Sequence, residues 1–204
     1  MKTLFLLLFI YFFNPLLLSQ TSSYNFSSSS GTYTEITGGI VLGTVNNDDE
    51  VFNNNTTGEA APQTDIGFPI GFNFNYNGVL YTSFAVNTNG WIKLGNGSFT
   101  IGNTYTPLSI STAAGYENIL SPLGRDLQGQ AGSELSYLLT GSSPNRVLVI
   151  QWKNYRRFNI ASGESFNFQI RLSENNFLIQ YVYGTVTTTN TSTSSSNNTT
   201  QVGI

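Results

Sequence analysis

Ile66-Gly67-Phe68-Pro69-Ile70-Gly71-Phe72-Asn73-Phe74 decides how this chain folds. Every second residue from Ile66 to Phe74 is large and apolar, and the positions between them are Gly, Pro, Gly and Asn. Successive side chains of an extended strand point to opposite faces, so this stretch reads as a strand with one buried face. Pro69 has no N–H to give to a ladder, which predicts an edge position or a bulge. The two glycines predict a bend.

The reading extends in both directions from there. Asn77-Gly78 and Asn89-Gly90 each lie between two β-rich runs. Asn-Gly is the strongest short hairpin signal, because both residues of the tight turn need positive φ. A meander over 65–76, 79–87 and 91–95 follows. Asn96-Gly97 leads to a further candidate strand, Ser98 to Ile101. Upstream, Thr32 to Ile36 and Ile40 to Val45 read as short strands joined at Gly38-Gly39, and Asn46 to Gly58 as an acidic, Asn-rich loop. Downstream, 102–115 is irregular and Ile119 to Leu123 is a short apolar run. Leu135 to Leu139 and Arg146 to Trp152 form a hairpin candidate, and the near-continuous apolar character of the second run predicts a central strand. Phe166, Phe168, Ile170 and Leu172 alternate with polar residues, and a turn at Glu174-Asn175-Asn176 leads to Phe177 to Tyr183. That makes roughly ten strands and no window with a helical period.

The expected fold is all-β, an antiparallel two-layer β-sandwich with jelly-roll-like character. Its core is expected from Phe68, Phe72, Phe74, Phe84, Val86, Val149, Trp152, Phe166, Phe168, Ile170 and Ile179. Composition agrees. Aromatic residues make up 14% of the 204 residues and charged ones only 9%, against roughly 25% charged in an average globular chain. Aromatic and β-branched side chains pack well on a pleated surface.

Composition also removes function classes. There is no cysteine and no histidine. Disulfides, thiolate metal sites and Ser–His or Cys–His nucleophile pairs are therefore excluded. Eight basic residues and a net charge of −3 leave no electrostatic footprint for nucleic acid.

Residues 1–19 read as a secretory signal peptide. Lys2 supplies a positive start, Leu4 to Phe13 is apolar, Pro15 interrupts it, and Ser19 is a small residue at its end. Cleavage after Ser19 would leave no membrane span and, with no cysteine at the junction, no lipid anchor. Residues 20–31 read as a Ser-rich lead-in and 32–204 as a single domain. Within it, 185–200 is a low-complexity Thr/Ser/Asn tract. Gln201 to Ile204 reads as the opening of one more strand, with the natural protein expected to continue.

The stretch from Phe68 to Gly95, FPIGFNFNYNGVLYTSFAVNTNGWIKLG, resembles a recurring N-terminal domain of secreted bacterial surface proteins. PNRVLVIQWKNYRR followed by FNFQIRLSENNFLIQYVYG resembles the same group, and also the extracellular nidogen-type domain. The resemblance covers Thr32 to Ile204. It implies a nidogen-like sandwich and extracellular or cell-surface location. In that bacterial group the domain often precedes fibronectin type III repeats and a sorting domain for type IX secretion. It implies adhesion or matrix binding, and no catalytic residue.

Four groups of residues are candidates for chemistry. Asn46, Asn47, Asp48, Asp49, Glu50 and Asn53, with Asp65, supply the oxygen ligands that calcium takes, and Asp48, Asp49 and Glu50 are the strongest of them. Trp91, Trp152 and Tyr155, with Tyr81, would stack on sugar rings if they lined one exposed face. Asp126, Glu117, Glu134 and Glu164 are carboxylates from which a glycosidase pair would have to be drawn. Arg146, Lys153, Arg156, Arg157 and Arg171 cluster late in a chain with no basic residue from Gln20 to Ile92, an asymmetry that suits an acidic glycan or self-association. The expected function is a secreted, non-catalytic interaction module for adhesion or spacing, with an extracellular glycan or protein as partner. A carbohydrate-binding module is the alternative, and a carboxylate-based hydrolase the second.

Overall fold

The computed structural model describes residues 24–45, 47–54, 67–95, 105–110, 115–158, 160, 163–188 and 200–204. The signal segment, Ile66, Asp65, the Asn96-Gly97 turn with Ser98 to Ile101, and residues 189–199 of the Thr/Ser/Asn tract lie outside them. The strands are β1 (Ile40–Gly43), β2 (Val51–Phe52), β3 (Phe68–Tyr76), β4 (Val79–Asn87), β5 (Trp91–Leu94), β6 (Ile119–Gly124), β7 (Leu127–Gln128), β8 (Glu134–Thr140), β9 (Val147–Arg157), β10 (Phe166–Ser173), β11 (Ile179–Tyr183) and β12 (Gln201–Gly203). One 3₁₀ turn spans Pro107–Ile110.

Two antiparallel sheets form the sandwich. The first runs β1-β8-β9-β10-β11, with β7 on the far end of β9. The second runs β12-β6-β5-β4-β2, with β3 also paired to β4. In the first sheet the inward residues of β9 meet those of β10 directly across the ladder: Leu148 opposite Leu172, Ile150 opposite Ile170, Trp152 opposite Phe168. Trp152 and Phe168 stack with ring centroids 5.0 Å apart. The second sheet answers with Ile70, Phe72, Phe74, Tyr76, Phe84, Val86, Ile92 and Leu94, all buried in the same cluster.

The alternating stretch behaves as its pattern requires. Ile70, Phe72, Phe74 and Tyr76 face inward while Pro69, Gly71 and Asn73 face out. β3 pairs only with β4 and its register shifts between Pro69 and Phe74, so Pro69 sits on an edge strand beside a bulge. Gly71 lies at φ 91°, and a Cβ there would come within 2.5 Å of the Leu139 side chain. Asn77 and Gly78 both have positive φ, as the tight hairpin demands. Asn89-Gly90 is different. Only Gly90 is positive, at 78°, and its N–H donates to Asn87 O at 3.2 Å. The loop is therefore three residues long, with glycine in the left-handed position.

Other expectations need correction. Val149 is buried, but on the outer face of its sheet, because Leu148 and Ile150 take the inward parity. Phe68 and Ile179 pack on the core and remain partly exposed. The acidic loop contains the short strand β2, which pairs with β4 at Asn87 and Val86. Thr32 to Ile36 is not a strand. It is an unpaired strap that steps across the outer face of the first sheet. The Tyr33 ring lies against Gly184, and Gln169 of β10 donates to Thr34 O. The Ile36 N–H and the Tyr33 hydroxyl both donate to Gln151 Oε1 of β9. Glu35 pairs with Lys153 of β9, and Gly39 closes on Tyr137 O of β8.

Candidate functional site

The chemistry collects where loops from both halves of the chain meet. Residues 47–50 pack on the 87–90 turn: Thr88 N–H donates to Glu50 O and Glu50 N–H to Thr88 Oγ1, both at 3.0 Å. On the other side, Gly129 N–H donates to Asn47 O at 2.8 Å, and Asp48 bridges to Gln128. Asn89 links the parts, since its Nδ2 donates to Asp49 Oδ1 and its Oδ1 accepts from Leu127 N–H, each at 2.8 Å. Asp126, between β6 and β7, is thereby brought to Asp48 and Asp49. Carboxylate oxygens of the three lie within 4.8 Å of one another.

Three carboxylates this close repel. Burial first, then Asp49, Asp126 and Glu50, push Asp48 up to about 6, against a smaller opposing pull from Arg156. Asp48 Oδ1 is buried and has no hydrogen-bond partner among the described residues. Asp48, Asp49 and Asp126 are the residues suited to a hard cation, being oxygen donors alone. Two members of the expected calcium set, Asp48 and Asp49, are brought together here. The Glu50 carboxylate accepts from Asn47 Nδ2, and the third carboxylate beside Asp48 and Asp49 is Asp126. Asp126 was legible only as an isolated loop carboxylate, because β6 and β7 deliver it from far along the chain.

Among the described residues, Trp91, Trp152 and Tyr155 form no exposed platform. Trp91, Trp152 and Tyr155 are all fully buried. Trp91 packs under Tyr116 on the outer side of the second sheet, with centroids 6.3 Å apart, in a cluster with Val51, Ala85 and Ile119. Trp152 donates from Nε1 to Asn87 O at 3.2 Å inside the main core. Burial, and then the charge of Glu50, push the Tyr155 hydroxyl far above its ordinary range. These rings serve packing, the commoner fate of large aromatics in a sandwich.

The other carboxylates are spoken for. Glu117 pairs with Lys93 at 3.5 Å. Glu164, wholly buried at its side chain, pairs with Arg157. Burial alone would raise Glu164, but hydrogen bonds and charge from Arg157 hold it below the usual carboxylate range. Glu134 stands opposite Lys153 in the β8–β9 ladder. Nor do the late basic residues form one patch. Arg146 binds both oxygens of Glu174 and the Gly71 carbonyl, and Lys153 binds Glu35. Arg156 donates to Gln128 and to Ile160 O.

Stability therefore depends on pH with two opposing limbs. The Asp48 carboxyl binds its proton more tightly in the fold than an ordinary aspartate at 3.8, so its ionisation costs stability. That cost is full above about 6 and vanishes below about 4. Hydrogen bonds from Arg146 hold Glu174 down to about 2 from 4.5, so its contribution is full above about 4.5 and lost as pH falls toward 2. The thermal midpoint should stay level from pH 7.5 to about 6, rise as pH is lowered toward about 4.5, and fall again below about 4. Asp48→Asn should raise the midpoint at pH 7.5 and flatten the neutral limb. Melts of both proteins across this range check it; a wild-type midpoint that drops steadily from pH 7.5 contradicts it.

One set of residues escaped the sequence reading. Gln151 and Gln169 are fully buried on the outer face of the first sheet and joined by a 2.8 Å hydrogen bond beneath the strap. Two glutamines set into apolar strands were the available signal.

A two-layer antiparallel sandwich with its polar chemistry on loops and one outer sheet face defines the chain as an all-β module. Residues 23–204 match the model of the NIDO-related family, and the chain belongs to that family. No curated protein and no solved structure matches it. Among the described residues no helix is long and apolar enough to cross a membrane.

Proposed function

We propose that this protein is a secreted, non-catalytic interaction module that holds an extracellular partner at the cell surface or in the matrix. Membership of the NIDO-related family over 23–204 carries this reading. The leader pattern of residues 1–19 supports export, and a chain with no histidine or cysteine supports a role without catalysis. The resemblance to domains that precede type IX sorting signals supports surface display. The test is to express the precursor in a secreting host and measure both release and attachment of the product to cells and matrix. A product released after cleavage near Ser19 that adheres saturably is expected. Retention in the cytoplasm, or no attachment to any surface, would overturn the proposal.

One observation favours a second reading, a carboxylate-based hydrolase. Burial and its acidic neighbours raise Asp48 to about 6 with Asp126 beside it, and two neighbouring carboxyls are the groups that glycoside hydrolysis uses. Release of reducing sugar from a polysaccharide panel, lost in Asp126→Asn, would establish it; no release from any substrate would remove it.

A further inference from the structure

We infer that the outer face of the first sheet holds a site for a carboxylate-bearing sugar unit, with Arg171 as the group that grips the carboxylate. A groove of about 300 Å³ opens there between the strap and strands β8 to β11. That is the lower end of small-ligand pockets, and it suits a sugar unit better than the face of a protein.

Arg171 is set up for this role. Its Nε and Nη2 both donate to Gln169 Oε1, at 3.0 and 2.8 Å. Gln169 is itself immobile, fully buried and donating from Nε2 to Thr34 O and to Gln151 Oε1. The guanidinium is thus fixed along its Nε–Nη2 edge while its Nη1–Nη2 edge keeps unused donors. That edge matches a carboxylate in two parallel hydrogen bonds. Lys93, Arg146, Lys153 and Arg157 each have a carboxylate partner. Arg171 has none among the described residues. Glu35 also borders the groove, but Lys153 neutralises it.

The rest of the lining favours a sugar acid over a simple fatty or peptide carboxylate. Val147, Val149 and Ile36 offer an aliphatic floor for the C–H face of a pyranose ring. Thr34, Thr140 and Gln180 offer hydroxyl and amide groups for the ring hydroxyls. A binding site of this kind needs few polar groups, placed to fix orientation. The inference rests on the interaction-module reading and gives it a ligand class, the uronic-acid units of an acidic glycan.

The experiment titrates the isotope-labelled protein with D-glucuronate, D-glucose and acetate, following amide shifts by NMR. Saturable shifts at 34–36, 147–149 and 169–171 are expected with glucuronate, at least about tenfold weaker with glucose or acetate. Arg171→Gln should weaken glucuronate by about tenfold with unchanged circular dichroism. Thr140→Val provides a second variant, with a smaller loss, should Arg171→Gln misfold. No localised shift, equal response to glucose, equal response to acetate, or full binding by the variants overturns the site. Adhesion that persists in such a case leaves the module reading standing, whereas adhesion lost with glucuronate binding intact sinks that reading alone.

Discussion

Trp152→Ala should cost about 3–5 kcal/mol of folding stability and lower the thermal midpoint by roughly 6–20 °C. Trp152 is fully buried between the sheets. Its ring stacks on Phe168 at 5.0 Å with planes 13° apart. Its indole N–H reaches Asn87 O of β4 in the opposite sheet. Truncation to alanine leaves a cavity that the flanking strands close poorly, because Trp152 is paired to Leu135 on one side and to Phe168 on the other. It also removes one donor from the Asn87 carbonyl, which keeps the Gly90 N–H. Trp152→Phe keeps much of the ring and loses the hydrogen bond, so its cost should be visibly smaller. Thermal melts by circular dichroism decide it, and a midpoint unchanged in Trp152→Ala would contradict the core described above.

Gly90→Ala should cost roughly 2–4 kcal/mol, from a left-handed backbone and a steric collision together. Gly90 has φ 78°, and a Cβ there would stand 2.2 Å from Leu123 O and 2.9 Å from Leu123 C. Both are backbone atoms of β6, so no side chain can swing away. The turn also carries Asn89, which joins Asp49 to Leu127. Displacing it should loosen the acidic cluster as well as the hairpin. Gly78→Ala is the control. Gly78 has the same φ of 78° with nothing within 4 Å of an added Cβ, so only the conformational penalty of about 1 kcal/mol applies. Urea midpoints for the two variants separate collision from strain. Equal losses would mean that Gly90 does not touch β6 as placed here.

Local pattern made the strands legible. The alternation from Phe68 to Phe74 determined which face is buried, since a pleat of period 2 admits one assignment. Asn77-Gly78 determined a tight hairpin, because asparagine and glycine reach positive φ most easily. The same dipeptide at Asn89-Gly90 misled as to turn type. Asn89 is drawn instead to Asp49 and to Leu127 N–H, partners far away in sequence. Thr32 to Ile36 misled for a related reason. Its β-forming residues are real, but β1 follows from Ile40 at the edge next to β8, and the segment before it must cross the sheet to get there.

The sequence by itself determined an all-β chain, its hairpins, its Phe-rich inner face, and a chemistry without imidazole or thiol. Only the tertiary structure decided what the polar residues do. It sank Trp91, Trp152 and Tyr155 into packing, brought Asp126 to Asp48 and Asp49, and aimed Arg171 into a groove. The physical reason is range. Side-chain alternation and turn φ are set by neighbours a few residues apart, whereas burial and charge pairing depend on which strands the sandwich lays side by side.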